Sequence, residues 1–139
     1  MFTPRGEDLT QRKITKLSKI EQLIMICGRY EGVDQRVAEY IADEEISIGD
    51  YVLLGGEIPA MALVEAVSRL VPGFIGDEEI LKERVTKKGE FVEFIQYTRP
   101  QVFETEEGET WKVPEILTSG DHKKIEKWRK EHGKRIGES

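Results

Sequence analysis

At 139 residues the chain has room for one domain, or one domain plus a tail, and a chain of this size buries roughly 68–70% of its unfolded surface, enough for an independent core. Hydrophobic residues make up 38% and charged residues 35%, and the apolar ones cluster into runs, which excludes a disordered polyelectrolyte. The net charge of −6 speaks against a nucleic-acid binder only as a whole: residues 121–139 carry seven Lys/Arg against four Asp/Glu, a local +3, so residues 1–120 hold −9.

Residues 8–22 place Leu9, Ile14, Leu17 and Ile20 at an imperfect three-to-four spacing, which predicts an amphipathic helix. Leu23–Cys27 is short and shows no alternation, the pattern of a buried parallel strand with Cys27 packed at its end. Asp34 is suited to cap a helix running to Ile41. Ile46–Ile48 and Tyr51–Leu54 read as strands interrupted at Gly49-Asp50. The clearest helix is residues 57–71, with Pro59 in its first turn and Ala60, Leu63, Val64, Val67 and Leu70/Val71 forming one stripe. Glu57 at its head is favoured by the helix dipole, and Pro72-Gly73 ends it.

Residues 76–92 are charged and are expected to be mobile. Tyr97-Thr98-Arg99-Pro100 is an extended turn, because a residue before proline avoids the α region. Residues 104–109 are acidic and contain Gly108, which fits a solvated loop or hairpin tip. Ser119 or Asp121 caps a final basic helix ending near Gly133. Strand–helix alternation predicts an α/β layer with a mainly parallel sheet. Three strands are few for a free-standing layer, so further strands lie within 81–117 or part of the domain is missing.

The lone Cys27 excludes an internal disulfide, and no Cys/His cluster has zinc spacing, so no metal ligand is assigned. No apolar stretch approaches the ~20 residues of a membrane span and the start is unlike a signal peptide, so a cytoplasmic protein without a membrane partner is expected.

Two glycine-punctuated loops carry the functional signal. Cys27-Gly28-Arg29-Tyr30-Glu31-Gly32-Val33-Asp34 follows one apolar run, and Ile48-Gly49-Asp50-Tyr51-Val52-Leu53-Leu54-Gly55-Gly56-Glu57-Ile58-Pro59 follows another. Glycines after strands admit close approach of a ligand to bare backbone. Neither loop has the spacing of a known phosphate cradle.

These loops, with Val67-Ser68-Arg69 and Tyr97-Thr98-Arg99-Pro100, resemble the bacterial tRNA (guanine-N1)-methyltransferases of the SPOUT superfamily. The likeness runs in order from about residue 2 to residue 130. It implies a trefoil-knotted α/β domain over residues 1–117, lacking the family's N-terminal part, and in 118–139 a basic helix opening the tRNA-binding region. It also implies S-adenosylmethionine as methyl donor, tRNA as substrate at guanosine 37, a homodimer, and magnesium as a possible requirement. By the same resemblance three loops form the cofactor site: Thr3 and Pro4; Gly28, Tyr30 and Glu31; and Ser47, Ile48, Gly49, Tyr51, Leu53, Gly55, Gly56 and Pro59. Backbone donors and acceptors suit an adenine edge, and Ile48, Tyr51, Leu53 and Pro59 suit its faces.

Each residue also has a plainer reading. Turn geometry accounts for most glycines, yet position within the two loops favours ligand approach for Gly28, Gly55 and Gly56. Glu31 is assigned to the cofactor wall and to the catalytic set, since a carboxylate near a sulfonium and an α-amino group gains charge-assisted contacts. Arg69 could serve only the helix dipole, but the resemblance makes it catalytic, stabilising charge at guanine O6. His122 and His132 are expected to face solvent. Lys123, Lys124, Lys127, Arg129 and Lys130 form either an exposed face or a phosphate contact.

Methylating guanine N1 requires removal of its proton by a base. Counted back from Tyr97, the aspartate that the resemblance assigns to this role falls on Val85, or on Arg84 with a one-residue slip. Glu83 is the nearest carboxylate and the candidate base. A module that holds the cofactor without turnover is the alternative.

Overall fold

The computed structural model describes residues 1–74, 84, 86 and 90–136. Strand β1 (Phe2–Asp8) leads through the Thr10 cap into helix α1 (Gln11–Leu17). Helix α2 (Gln35–Tyr40), strand β2 (Ile46–Ser47) and helix α3 (Glu57–Ser68) follow. Beyond lie β3 (Phe91–Glu93), β4 (Val102–Glu104), β5 (Thr110–Lys112), α4 (Glu115–Thr118), α5 (His122–His132) and β6 (Lys134–Ile136).

β1 pairs with β2 in parallel, with an irregularity between Phe2 and Glu7, both of which face Ile46. β1 contains Pro4 and Gly6, residues that ordinarily demote a strand, and the sequence gives no other sign of it. Gly6 has a packing reason: a Cβ there would sit 2.7 Å from the Glu45 carbonyl oxygen, inside the backbone of the crossing strand. The other pairings, β3 with β6 and β4 with β5, are antiparallel. Parallel pairing among the described residues is therefore confined to β1–β2, and the strands expected within 81–117 are β3, β4 and β5.

The core lies in the first half, where Phe2, Ile14, Ile46 and Leu63 are buried together. Leu63 is 1% exposed, and burying such a side chain contributes about 1.5–3 kcal/mol. Leu9, Leu17, Met25, Ala60, Ala66, Val67 and Leu70 pack around it. The stripe read along residues 57–71 splits here: Leu63 points inward, whereas Val64 is 49% exposed.

Two expected strands do not form. Leu23–Cys27 is extended but holds to β1 by one backbone bond, Phe2 N–H to Ile26 O at 3.1 Å, and Ile24 is 78% exposed. A run without alternation needs cover on both faces, and the described residues cover only the side where Met25 meets the core. Cys27 is accordingly exposed rather than packed. Tyr51–Leu54 folds back instead of extending, with Tyr51 N–H donating to Gly49 O at 2.9 Å and the Tyr51 hydroxyl donating to Ile48 O at 3.2 Å.

The second half is built largely from local pieces, closed end to end by β3–β6. Residues 84 and 86 pair with 92 and 90 through Val92 N–H to Arg84 O (2.7 Å) and Thr86 N–H to Glu90 O (2.9 Å). Of the segment expected to be mobile, residues 76–83, 85 and 87–89, Glu83 included, lie outside the described residues. β4 and β5 form the acidic-tipped hairpin, with Phe103 stacked on Trp111 at 5.7 Å. Asp121 caps α5, accepting from Lys124 N–H at 3.2 Å, and Gly133 ends the helix. Contacts between this half and the first include Arg12 with buried Glu90 at 3.9 Å and Arg69 over the Phe91 ring at 5.2 Å.

Candidate functional site

The parallel pair β1–β2 and the two glycine loops enclose a cavity of about 360 Å³, within the ~300–1,000 Å³ typical of small-molecule sites. Thr3 and Pro4 come from β1; Gly28, Tyr30 and Glu31 come from the loop after the Leu23–Cys27 run. Ser47, Ile48, Gly49, Tyr51, Leu53, Gly55, Gly56 and Pro59 line the remaining wall. Segments far apart in sequence thus converge on one concavity. Arg29 and Val33, which lie within the first loop motif but were not named as site residues, line it too, as does Arg5 on β1 beside Pro4.

The loops are fastened to each other. Gly56 N–H donates to Gly28 O at 2.9 Å, Arg29 and Gly55 form an antiparallel bridge, and Arg29 Nε pairs with Glu57 Oε1 at 2.6 Å. This gives the glycines a second reason to be there. A Cβ on Gly56 would lie 2.7 Å from Cys27 Cα and 3.2 Å from Gly28 N, and one on Gly55 would meet the Glu57 carboxylate and lie 3.3 Å from Gly28 O. The space they leave is taken by the opposite loop. Glu57 is therefore more than a dipole partner: its own backbone N–H, then Arg29, hold its carboxyl below the ordinary value.

Tyr30 stands at the rim with φ 56°, left-handed for a non-glycine residue, and is 96% exposed. Such a conformation costs about 1–2 kcal/mol and persists where the surroundings impose it. Here the turn closes through Gly32 N–H to Arg29 O at 3.1 Å. Below the rim, buried Ser47 donates its hydroxyl to Gly49 O at 3.0 Å and accepts from Gly49 N–H at 3.2 Å, which fixes the floor of the second loop. Asp34 caps α2 and is drawn below its ordinary value by the Arg36 side chain and then its backbone N–H.

The catalytic candidates do not all gather here. Glu31 lines the cavity, Arg69 caps the end of α3 and rests on Phe91 outside it, and Glu83 lies outside the described residues. Arg84 is engaged by Glu93 at 3.1 Å. Among the described residues no group of three His, Cys, Asp or Glu is placed to hold a metal ion. No described helix is long and apolar enough to cross a membrane.

A second groove, of about 780 Å³, runs between residues 94–101 and helices α4 and α5. Arg99, His122, Arg129 and Lys130 line it. Around α5, Lys124, Lys127 and Lys130 pair with Asp121, Glu131 and Glu126, so three of the five cations the sequence groups there are answered by carboxylates. His132 stacks on Trp128 at 4.2 Å and remains exposed, as does His122.

An α/β chain in which three sequence-distant segments meet at a cavity of this size has the form of a small-ligand binder. The family model described as tRNA (Guanine-1)-methyltransferase TrmD matches residues 1–138, and the chain belongs to that family. A tRNA (guanine-N(1)-)-methyltransferase of Carboxydothermus hydrogenoformans is 51% identical over 130 residues, covering 94% of this chain and 49% of the relative. That of Clostridioides difficile is 46% identical over 135 residues (97% and 56%), and that of Dictyoglomus turgidum 52% over 130 residues (94% and 50%). The chain spans about half the length of these curated relatives.

Proposed function

We propose that the chain carries the S-adenosylmethionine site of a tRNA guanine-N1 methyltransferase acting on guanosine 37. The observation that supports this best is the convergence of three sequence-distant loops on one cavity. The residues present fit the cofactor: Ile48, Tyr51, Leu53 and Pro59 line the cavity and offer apolar faces for an adenine. The family membership and the names its relatives carry support the reaction and the RNA substrate.

When bound, S-adenosylmethionine supplies an electrophilic methyl group on a sulfonium. Glu31 lines the cavity and offers a carboxylate to that cationic part. Arg69 stabilises the negative charge that moves to guanine O6 as N1 loses its proton. Glu83 is the candidate acceptor of that proton. Because Arg69 lies outside the cavity, its part in the reaction fits a site shared between two copies of the chain. Exposed Leu54 (93%), Ile58 (58%) and Met61 (67%) supply an apolar face for such a homodimer.

The family's trefoil knot and its mainly parallel sheet belong to this reading, as do residues 1–117 as cofactor domain, 118–139 as the start of an RNA-contacting region, and a cytoplasmic setting. The described residues assemble no ligand set for magnesium, and none is assigned to it.

Calorimetry with S-adenosylmethionine and a labelled-methyl transfer assay on unmodified tRNA test the proposal. Cofactor binding with transfer to guanine N1 is expected. Arg69→Ala is expected to abolish transfer and leave cofactor affinity unchanged; parallel loss of both would make Arg69 a cofactor or structural contact. Absence of cofactor binding by the folded chain overturns the reading.

A further inference from the structure

Arg5, Arg29 and Glu31 are the charged side chains in the cavity wall, and they are not equivalent. Arg29 is taken by Glu57 at 2.6 Å, so its charge is answered within the protein. Arg5 has no carboxylate partner among the described residues. Its guanidinium is instead held by a neutral acceptor, with Nη2 donating to the Gln35 side-chain oxygen at 2.6 Å. A guanidinium fixed by an amide keeps its full charge and most of its donors, while its direction is set in advance. Glu31 likewise has no ion-pair partner among the described residues. One cavity therefore presents an unanswered cation from β1 and an unanswered anion from the first glycine loop.

Such a pair of opposite charges is complementary to a zwitterion. We propose that Arg5 binds the α-carboxylate of the cofactor's amino-acid tail, with Gln35 as the residue that positions it. The inference rests on the reading of the cavity as an S-adenosylmethionine site. It adds that the site reads the tail through a charged fork, not only the adenosyl end through backbone and plates. The guanidinium fork matches a carboxylate bidentately, whereas an ammonium at the same place would supply a point charge without that geometry. Glu31 on the other wall is then left for the tail's ammonium.

The test compares one ligand that differs only in the tail's carboxylate with one that lacks the whole tail and, with it, the positive charge on sulfur. The 139-residue chain is titrated calorimetrically with S-adenosylmethionine, with its decarboxylated analogue, which keeps the amine, and with methylthioadenosine, which lacks the amino acid. Arg5→Met is expected to weaken S-adenosylmethionine binding roughly 5- to 30-fold, the discounted worth of a charge-assisted contact at an exposed site. It should leave both tail-deficient ligands within about twofold. Arg5→Lys should recover part of the loss, and Gln35→Ala should show a smaller loss with the same ligand pattern. Equal weakening of all three ligands by Arg5→Met would make Arg5 a structural or adenosyl contact and overturn the proposal. So would unchanged affinity for S-adenosylmethionine. If the unaltered, folded chain binds none of the three, the cofactor reading itself fails and the proposal falls with it. If it binds all three equally, only the role of Arg5 falls.

Discussion

In residues 1–74 the buried side chains Phe2, Ile14, Ile46 and Leu63 come from four separate elements, and the hydrogen bonds that matter join distant positions, such as Gly56 to Gly28 and Glu7 to Glu45. In residues 90–136 the described contacts run largely between near neighbours, apart from the β3–β6 pairing that joins its two ends: a hairpin with all six strand residues exposed, a capped basic helix, and ion pairs at i+3 and i+4. A half held by distant contacts must form as a unit, and it can hold a cavity at the crossing of its loops. A half held by local contacts can open piecemeal, at little cost to the rest. The candidate site belongs wholly to the first kind.

Substitutions that strike the crossing contacts should therefore outweigh any in the second half. Leu63→Ala is expected to cost about 2–5 kcal/mol and to unfold residues 1–74 together, read by chemical denaturation with hydrogen exchange. A loss confined to α3 would break the contrast. Gly56→Val drives a branched side chain into the Cys27 backbone and should cost about 1–3 kcal/mol. It should also reduce S-adenosylmethionine affinity at least tenfold by parting the loops. Full affinity in a folded variant would remove the loop crossing from the site.

Smaller effects sharpen the comparison. Tyr30→Gly relieves the left-handed strain at the rim and is expected to stabilise the chain by about 1 kcal/mol or less, visible as a raised Tm, because glycine also loosens the unfolded chain. A lowered Tm would mean the exposed tyrosine makes a contact that outweighs its strain. The smallest effect is a pH response centred on Lys13, which bonds Glu7 at 2.7 Å and Glu44 at 3.0 Å. The Lys13 hydrogen bond, then its charge, hold Glu7 below its ordinary 4.5. Burial pulls the Lys13 ammonium down, but the hydrogen bonds to Glu7 and Glu44 outweigh it and raise it above 10.5. The depressed carboxyl contributes above pH 4.5 and loses its contribution as pH falls through its lowered value. The raised ammonium contributes below pH 10.5 and loses its contribution as pH rises through its raised value. Lys13→Met should flatten the acid limb of a Tm-against-pH curve; an unchanged limb would assign acid lability elsewhere.

Local chemistry was the legible part of the chain. Asp34 and Asp121 cap the helices their types and positions imply, and Pro59 sits in the first turn of α3. The residues that line the cavity could be named because the loops carry long, specific motifs, not because spacing reveals a pocket. What the sequence hides is cover. Leu23–Cys27 and Tyr51–Leu54 have the composition of buried strands, and only neighbours can decide whether such runs are buried. β1 was obscured for the opposite reason, since Pro4 and Gly6 argue against a strand unless the close crossing at Glu45 is known. Arg5 is equally unreadable in one dimension: its value lies in Gln35 being its partner and Glu57 being Arg29's.

The placement of the aromatic residues has a practical corollary. The sequence contains two tryptophans, and Trp111 and Trp128 both lie beyond residue 90, one stacked on Phe103 in the exposed hairpin and the other on His132. Intrinsic tryptophan fluorescence is thus an optical report on the second half alone. An unfolding curve followed by that emission would record the fraying of β4–β5 and α5 while the cavity still stood. Far-ultraviolet dichroism and tyrosine emission, to which Tyr30, Tyr40 and Tyr51 contribute from the first half, should then give a transition that does not superimpose on the tryptophan trace.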